Sequence, residues 1–509
     1  MNILIFGCGN IGFEVILALN KENYDVWIVD IRLPEYLEPI LKRNQRIHFM
    51  EADATNYDEL MLLLNFPIDV MLCTVGTLSK ATSIDDWERF KKDFNINFFG
   101  NLIPIKVALQ KDILQNGARL IVISSTSGHF APKSLTAYAP AKWALENFWG
   151  ALRGELAKQN ITVDVISPYT LKNLYSKVFN TDKGIDPKQT VKEILKLLTH
   201  PKNCNHFIPS RYRVFHLLER LIPSLFEGYL GLGVSVLRRH KLRGLQIKSA
   251  LISGASSGLG RELALIYSKL DSLYLIASDE EILRKLKQEI HDLRPQCQVE
   301  ISSVDMSSEE QIHLYVDRIP RIDLVVNNDE FYVYDEIRNI PIEVYQKNLA
   351  NNFFGPVFLL SELERKKQPP VKVINILSTT AMTGLKYLSS YSASEAALWC
   401  FTRSLRRVLN KTCQVIEVFP ANFQSNLINK GVWIQSDKES NDKHIGTPMR
   451  LLMAHERLLN SREVALQVTR TEESGSEYLI IPRKARLYLI LEAVAPSIFA
   501  HKAQQFLLD

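Results

Sequence analysis

The chain has 509 residues, 46% hydrophobic and 23% charged, so it carries enough apolar side chain to bury large cores and is neither fibrous nor disordered. Its 61 basic and 56 acidic residues leave a net charge of +5, which gives no basic footprint for nucleic acid. The six cysteines (Cys8, Cys73, Cys204, Cys297, Cys400 and Cys413) form no CxxC pair, and no HExxH motif or Cys/His cluster argues for a metal, so a reducing cytoplasm is the expected home.

Residues 2–6 form an apolar run fit for a buried parallel strand, and no basic, apolar and cleavage-site sequence of a secretory signal precedes it. The turn Gly7-Cys8-Gly9-Asn10-Ile11-Gly12 follows at once and opens an apolar-periodic helix through Ala18 and Leu19. Backbone NH groups at such a helix start bind a pyrophosphate, and the glycines allow a tight turn and a close approach. The second strand, residues 26–29, ends on Asp30, whose carboxylate can accept both ribose hydroxyls of NAD and repel the 2′-phosphate of NADP. Two alternatives stay open: Asp30 as a turn cap, and Arg32 as a reader of NADP. The third strand runs into Asp53, which also reads as a turn or helix cap. A fourth strand, residues 69–73, precedes Gly76, and a helix over 85–110 carries Asn97.

Residues 121–145, IVISSTSGHFAPKSLTAYAPAKWAL, read as a buried strand, a loop and a helix carrying Ser125, Tyr138 and Lys142. Tyr138 and Lys142 are four apart and share a helix face. An ammonium beside a phenol stabilises the phenolate, so Lys142 is expected to pull the Tyr138 pKa toward neutrality. Pro140 is tolerable only in a first helical turn, which puts Tyr138 at the helix start. Ser125 closes the apolar strand, at the sheet end where open α/β sheets place their chemistry.

The ordered set of glycine loop, Asn97, Ser125, Tyr138 and Lys142 resembles the short-chain dehydrogenase/reductase family. The resemblance implies hydride transfer between NAD(P) and an alcohol or carbonyl carbon. It gives Tyr138 the proton exchange, Lys142 the tuning of that phenol and a ribose contact, Ser125 the substrate oxygen, Asn97 support of Lys142 through water, Asp53 an adenine contact and Gly76 a close backbone approach to the cofactor. The chain departs from the family pattern in three places. Its first glycine loop is one residue shorter than GxxxGxG, Cys73-Thr74-Val75-Gly76 keeps only the glycine of Asn-Asn-Ala-Gly, and Tyr169 and Asn173 replace a glycine and a threonine beside the nicotinamide.

Residues 169–205 occupy the place of the family's substrate cover, where Leu171, Leu174, Tyr175, Val178 and Phe179 point to an apolar substrate or, equally, to a core-facing helix. Residues 211–243 are apolar with basic ends. They read as a packed helix plus linker or as a membrane-surface element, while Pro223, Glu227 and three glycines exclude a spanning helix.

After Lys248 the pattern begins again. Gly254, Gly258 and Gly260 stand in GxxxGxG spacing, and Asp305, Asn352, Ser378 and Tyr391 repeat Asp53, Asn97, Ser125 and Tyr138 at offsets of 252, 255, 253 and 253, the mark of a duplicated unit. Glu395 stands where the first half has Lys142, and an anion near a phenol raises its pKa. Asp329 and Glu330 add repulsion toward phosphates, so this copy is expected to keep the fold without the chemistry.

The expected architecture is α/β, two tandem doubly wound Rossmann-type domains with mostly parallel sheets: residues 1–210, a connector at 211–247, and residues 248–509. The family resemblance further implies that helices 85–110 and 136–158 pack on 342–366 and 389–409 in an intramolecular pseudo-dimer, with Phe98, Phe99, Trp143, Phe148, Phe353, Phe354, Trp399 and Phe401 divided between the cores and the seam. The rival reading is a nucleotide-responsive scaffold with both halves catalytically idle.

Overall fold

The computed structural model describes residues 1–78, 86–132, 135–169, 171, 184–214, 246–409, 413–420, 432–433, 459–474 and 476–481. Most of the expected connector (215–245), and the cover residues Asn173, Leu174, Tyr175, Val178 and Phe179, lie outside the described residues.

The first half alternates β1 (Asn2–Phe6), α1 (Asn10–Leu19), β2 (Asp25–Asp30), α2 (Glu38–Arg43), β3 (Ile47–Glu51), α3 (Tyr57–Leu63), β4 (Ile68–Cys73), α4 (Trp87–Gln110), β5 (Leu114–Ile123), α5 (Thr126–Phe130), α6 (Tyr138–Leu156), β6 (Thr162–Pro168), α7 (Pro187–Thr199) and β7 (Asn205–Ile208). Its sheet is parallel throughout, in the order β3-β2-β1-β4-β5-β6-β7. Helices cover both faces, so strand β1 is apolar without alternation: Ile3, Leu4, Ile5 and Phe6 are all buried. The strand order reverses between β1 and β4, and the crevice beyond their C-terminal ends is where such sheets bind ligands.

The second half repeats this with β8 (Ser249–Ser253), α8 (Gly258–Tyr267), β9 (Ser272–Ala277), α9 (Glu280–Leu293), β10 (Gln298–Ser303), α10 (Glu309–Arg318), β11 (Leu324–Asn327), β12 (Val333–Tyr334), α11 (Ile342–Leu349), α12 (Gly355–Arg365), β13 (Lys372–Ile376), α13 (Ser389–Val408), β14 (Gln414–Pro420), β15 (Val432–Trp433), α14 (Ser461–Ser474) and β16 (Tyr478–Ile481). Its seven-stranded sheet follows the same order, β10-β9-β8-β11-β13-β14-β16, and β12 pairs with β15 apart from it. The helix expected over 342–366 is interrupted by a π-helical turn, Ala350–Phe354, that carries Asn352.

One hydrophobic core runs through both halves. Helix α6 packs along α13, with Trp143 against Trp399 at 5.6 Å. Phe94 of α4 meets Phe353 at 4.9 Å, and Phe148 meets Tyr345 at 6.2 Å. At Gly384 a Cβ would lie 1.8 Å from the Asn147 carbonyl, so glycine is what lets that loop touch the α6 backbone. Polar ties flank the apolar seam. Lys106 donates to the carbonyls of Ile337 and Arg338 at 3.1 Å each, and Glu155 accepts from the Ile337 and Tyr387 amides at 2.9 and 3.3 Å.

Candidate active site

The glycine turn is built for a close approach. Gly7 has φ +89°, and a Cβ on Gly12 would lie 2.0 Å from the Gly7 carbonyl, so neither position accepts a side chain. Gly9 caps α1 without a side-chain hydrogen bond, which leaves the amides of the first helical turn pointing at the crevice. Asp30 stands at the end of β2, as expected. Its Oδ2 accepts from the Cys8 amide at 2.7 Å and the Cys8 thiol at 2.9 Å, so the carboxylate also holds the shortened glycine turn in shape. Sequence reading missed that second task. Thr74, where the family pattern has asparagine, donates to the Gly7 carbonyl at 2.7 Å and fixes the same turn from the β4 side.

Asp53 and its counterpart Asp305 are exposed and cap turns. Asp53 Oδ1 accepts from the Thr55 amide and hydroxyl at 2.8 Å each, and Asp305 Oδ1 does the same with Ser307. In each case the carboxylate holds its own turn.

Asn97 is fully buried on α4. Its Nδ2 donates to the Thr77 carbonyl at 2.9 Å, its Oδ1 accepts from the Thr77 amide at 3.3 Å, and a Cβ on Gly76 would approach that oxygen to 2.9 Å and Lys142 Nζ to 3.4 Å. Gly76 therefore leaves the gap through which Asn97 and Lys142 face one another.

Ser125 caps α5, and its Oγ accepts from the Ser127 hydroxyl at 2.8 Å, a partner the sequence reading did not single out although it lies two residues on. The Tyr138 phenol is hydrogen-bonded to Ser125. Tyr138 is the first residue of α6, and Pro140 falls in the first turn, as the proline predicts. Lys142 Nζ lies 5.7 Å from the Tyr138 ring centroid and donates to the Ile123 carbonyl at 3.1 Å. The expected electrostatic effect is corrected here. Burial pushes the Tyr138 phenol up to about 12, with the Ser125 hydrogen bond opposing, and burial brings Lys142 down to about 8 against the pull of Glu146. With its ammonium on the Ile123 carbonyl, Lys142 does not lower the phenol in this arrangement. Behind it, His129 Nε2 lies 3.0 Å from Glu146, which also accepts from the Ser167 hydroxyl at 2.6 Å; burial would raise this carboxyl, but these partners hold it low.

These groups open on one cavity of about 590 Å³. Gly9, Asn10, Ile11, Thr74 and Gly76 line one end, and Ser125, Tyr138 and Lys142 line the wall. Leu78, Phe130, Pro132, Leu135, Tyr169, Leu171 and Tyr212 make an apolar, aromatic end. Tyr169 and Tyr212 stack at 4.6 Å and 12°. Tyr212 carries no sequence signal for this role, because only the pairing of β6 with β7 brings it beside Tyr169.

A family model described as short chain dehydrogenase matches residues 1–183 and again 248–432. The chain belongs to that family. Among its relatives are an uncharacterized oxidoreductase of Staphylococcus aureus strain MW2, 27% identical over 217 residues (40% of this chain, 92% of the relative), and one of Thermotoga maritima, 27% identical over 228 residues (44% and 89%). Among solved structures, an N-terminal ketoreductase from a macrolactin assembly line superposes with a TM-score of 0.64 at 12% identity, over 94% of this chain and 86% of that one. At that identity the likeness speaks to the fold alone, and it extends over both halves.

The second short chain dehydrogenase copy is built differently where chemistry would occur. Gly254 and Gly258 have φ of +62° and +56°, and a Cβ on Gly260 would lie 2.4 Å from the Gly254 carbonyl, so the turn keeps its form. Buried Tyr391 donates to Glu330 at 3.1 Å, with Glu395 buried nearby. Burial, then repulsion from Glu330, raises the Glu395 carboxyl and the Tyr391 phenol. Asn352 donates to the Ser394 hydroxyl at 3.0 Å.

Proposed function

We propose that the first half transfers a hydride between a nicotinamide cofactor and an alcohol or carbonyl carbon of an apolar small molecule. The observation that carries this reading is the single cavity joining the α1 glycine turn to Ser125, Tyr138 and Lys142. The residues fit the cofactor. The turn formed by Gly7 and Gly12 has room for no side chain, the uncapped amides after Gly9 suit a pyrophosphate, and Asp30 suits the ribose hydroxyls of NAD rather than a 2′-phosphate. Bound there, the nicotinamide supplies or accepts the hydride. Ser125 orients the substrate oxygen and passes a hydrogen bond to Tyr138, which exchanges the proton. Lys142, released from the Ile123 carbonyl toward the ribose and the phenol, supplies the cation that lowers Tyr138 into its working range. Asn97, anchored to the Thr77 backbone, supports that lysine across the gap at Gly76. The aromatic end formed by Phe130, Tyr169 and Tyr212 supports an apolar substrate.

The second half, on this reading, is a non-catalytic copy that closes an intramolecular pseudo-dimer on the first. The shared core, the α6 to α13 packing and the Glu330, Tyr391 and Glu395 cluster support that assignment. Screening the full chain with NADH and NADPH against a carbonyl panel, followed by absorbance at the nicotinamide band, is the test. Turnover that disappears in Tyr138→Phe is expected. Cofactor binding without turnover on any carbonyl would favour a nucleotide-responsive scaffold instead. Among the described residues no helix is long and apolar enough to cross a membrane.

A further inference from the structure

At the opposite end of the first sheet, about 13 Å down β6 from the cavity, three potential ligands converge. Strands β6 and β7 pair with Val165 opposite Asn205 and Ile166 opposite His206, which sets Asp164 beside Cys204 with Asp164, Cys204 and His206 on one face of the sheet. Asp164 Oδ1 lies 2.8 Å from His206 Nε2, Cys204 Sγ lies 3.6 Å from the same nitrogen, and all three ligand atoms are within 4.8 Å of one another. We propose that Asp164, Cys204 and His206 form a zinc site that clamps β7 to β6.

The spacing suits the metal. Tetrahedral zinc with Zn–S near 2.3 Å and Zn–N near 2.0 Å separates sulfur from nitrogen by about 3.5 Å. The Asp164 and His206 atoms need to part by about half an ångström to reach the corresponding oxygen to nitrogen distance. The outer partner is also in place. His206 Nδ1 lies 3.1 Å from Glu193 of α7, which can keep the Nδ1 proton when zinc displaces the proton on Nε2. Asp164 and His206 are buried while Cys204 is half-buried, so the site is approached from the Cys204 side. Loading releases the Cys204 proton, and any second proton on His206, to solvent.

An imidazolium held between Asp164 and Glu193, with Cys204 Sγ as a further acceptor at Nε2, accounts for the same contacts without a metal, and it is the arrangement that zinc would displace. The sequence by itself shows no Cys/His cluster for a metal, and the proposed site is assembled only by strand pairing. Cys204 and His206 are only two residues apart in sequence, and the missing ligand, Asp164, is forty residues upstream on the neighbouring strand. The site also has a mechanical consequence. The chain leaving β7 at Ile208 turns through Pro209 to Tyr212, which lines the cavity, so a metal there would steady that wall.

The test uses the full chain after chelation and dialysis. Zn²⁺ is titrated calorimetrically, and Cd²⁺ is followed by its thiolate charge-transfer band. One equivalent of Zn²⁺, a cadmium band that disappears in Cys204→Ser, and zinc affinity lowered about 10- to 100-fold in Glu193→Gln are expected. No uptake by the parent, or a band that survives Cys204→Ser, would overturn the proposal. If Cys204→Ser fails to fold, X-ray absorption at the zinc edge of the loaded parent replaces it. One sulfur in the first shell supports the site, and an all-nitrogen/oxygen shell rejects it.

Discussion

Tyr391 donates its hydroxyl hydrogen to the Glu330 carboxylate at 3.1 Å. The corresponding phenol in the first half, Tyr138, bonds to Ser125 and has Lys142 5.7 Å from its ring. The same residue type at the same place in the repeat thus faces an acid in one copy and an ammonium in the other. A phenol paired with a carboxylate does not become a base at neutral pH. Tyr138→Phe should therefore reduce kcat by at least ~100-fold, the lower end of what a positioned acid or base contributes. Tyr391→Phe should leave kcat within a few-fold. Equal losses in steady-state assays of the two variants would refute the division of labour.

The Asp30 carboxylate holds the Cys8 amide and thiol at the end of β2, the position proposed to read the ribose of NAD. Asp30→Asn keeps an oxygen for the Cys8 amide while removing the charge. The ratio of KM for NADPH to KM for NADH should fall by roughly 10-fold, about 1.4 kcal/mol of lost discrimination. A parent protein that binds NADPH more tightly than NADH would give the role to Arg32.

Glu155 ties the two halves together, and its titration gives a pH dependence with a definite sign. Burial, with repulsion from Glu336, raises it to about 8 from 4.5, against the Ile337 and Tyr387 amide bonds. The folded-state value lies above the unfolded one, so its stabilising contribution is complete below about 4.5 and is lost as pH rises through 8. Denaturant midpoints of the parent should decline across that window relative to those of Glu155→Gln. Parallel pH profiles for the two proteins would show that Glu155 titrates normally.

Arg407 of the second half donates to the Phe130 and Ala131 carbonyls at the end of α5, the helix that Ser125 caps. Arg407→Ala should lower kcat by between ~10- and 100-fold, the scale of a small misplacement at the reacting centre, with partial recovery in Arg407→Lys. An unaffected kcat would mean that α5 keeps its position without the second half.

Truncation after residue 247 exposes the faces of α4 and α6 that pack on Phe353 and Trp399. The fragment should unfold or self-associate in sedimentation analysis, because an apolar patch of this kind does not stay open to water. In the intact chain, Phe353→Ala should cost about 3 to 5 kcal/mol and lower first-half activity with it. A monomeric, fully active fragment would refute the shared-core reading.

Much of this protein was legible in one dimension. Buried parallel strands announce themselves as short apolar runs, Pro140 fixed the start of α6, and the near-constant offset of about 253 residues revealed the repeat. Tyr138 and Lys142 share a helix face by their spacing, and Asn97 and Ser125 were picked out beside them by the family resemblance. What escaped depended on pairings between distant segments. Tyr212 reaches the cavity, and Cys204 and His206 reach Asp164, only through the pairing of β7 with β6. Glu330 meets Tyr391 only through the fold of the second half. The pKa of Tyr138 depended on burial and on where the Lys142 ammonium turned, not on the four-residue spacing that brings them onto one face. Spacing along a chain fixes which side chains share a helix or strand face. Electrostatics and ligand geometry depend on through-space distances and desolvation, which only the packed structure sets.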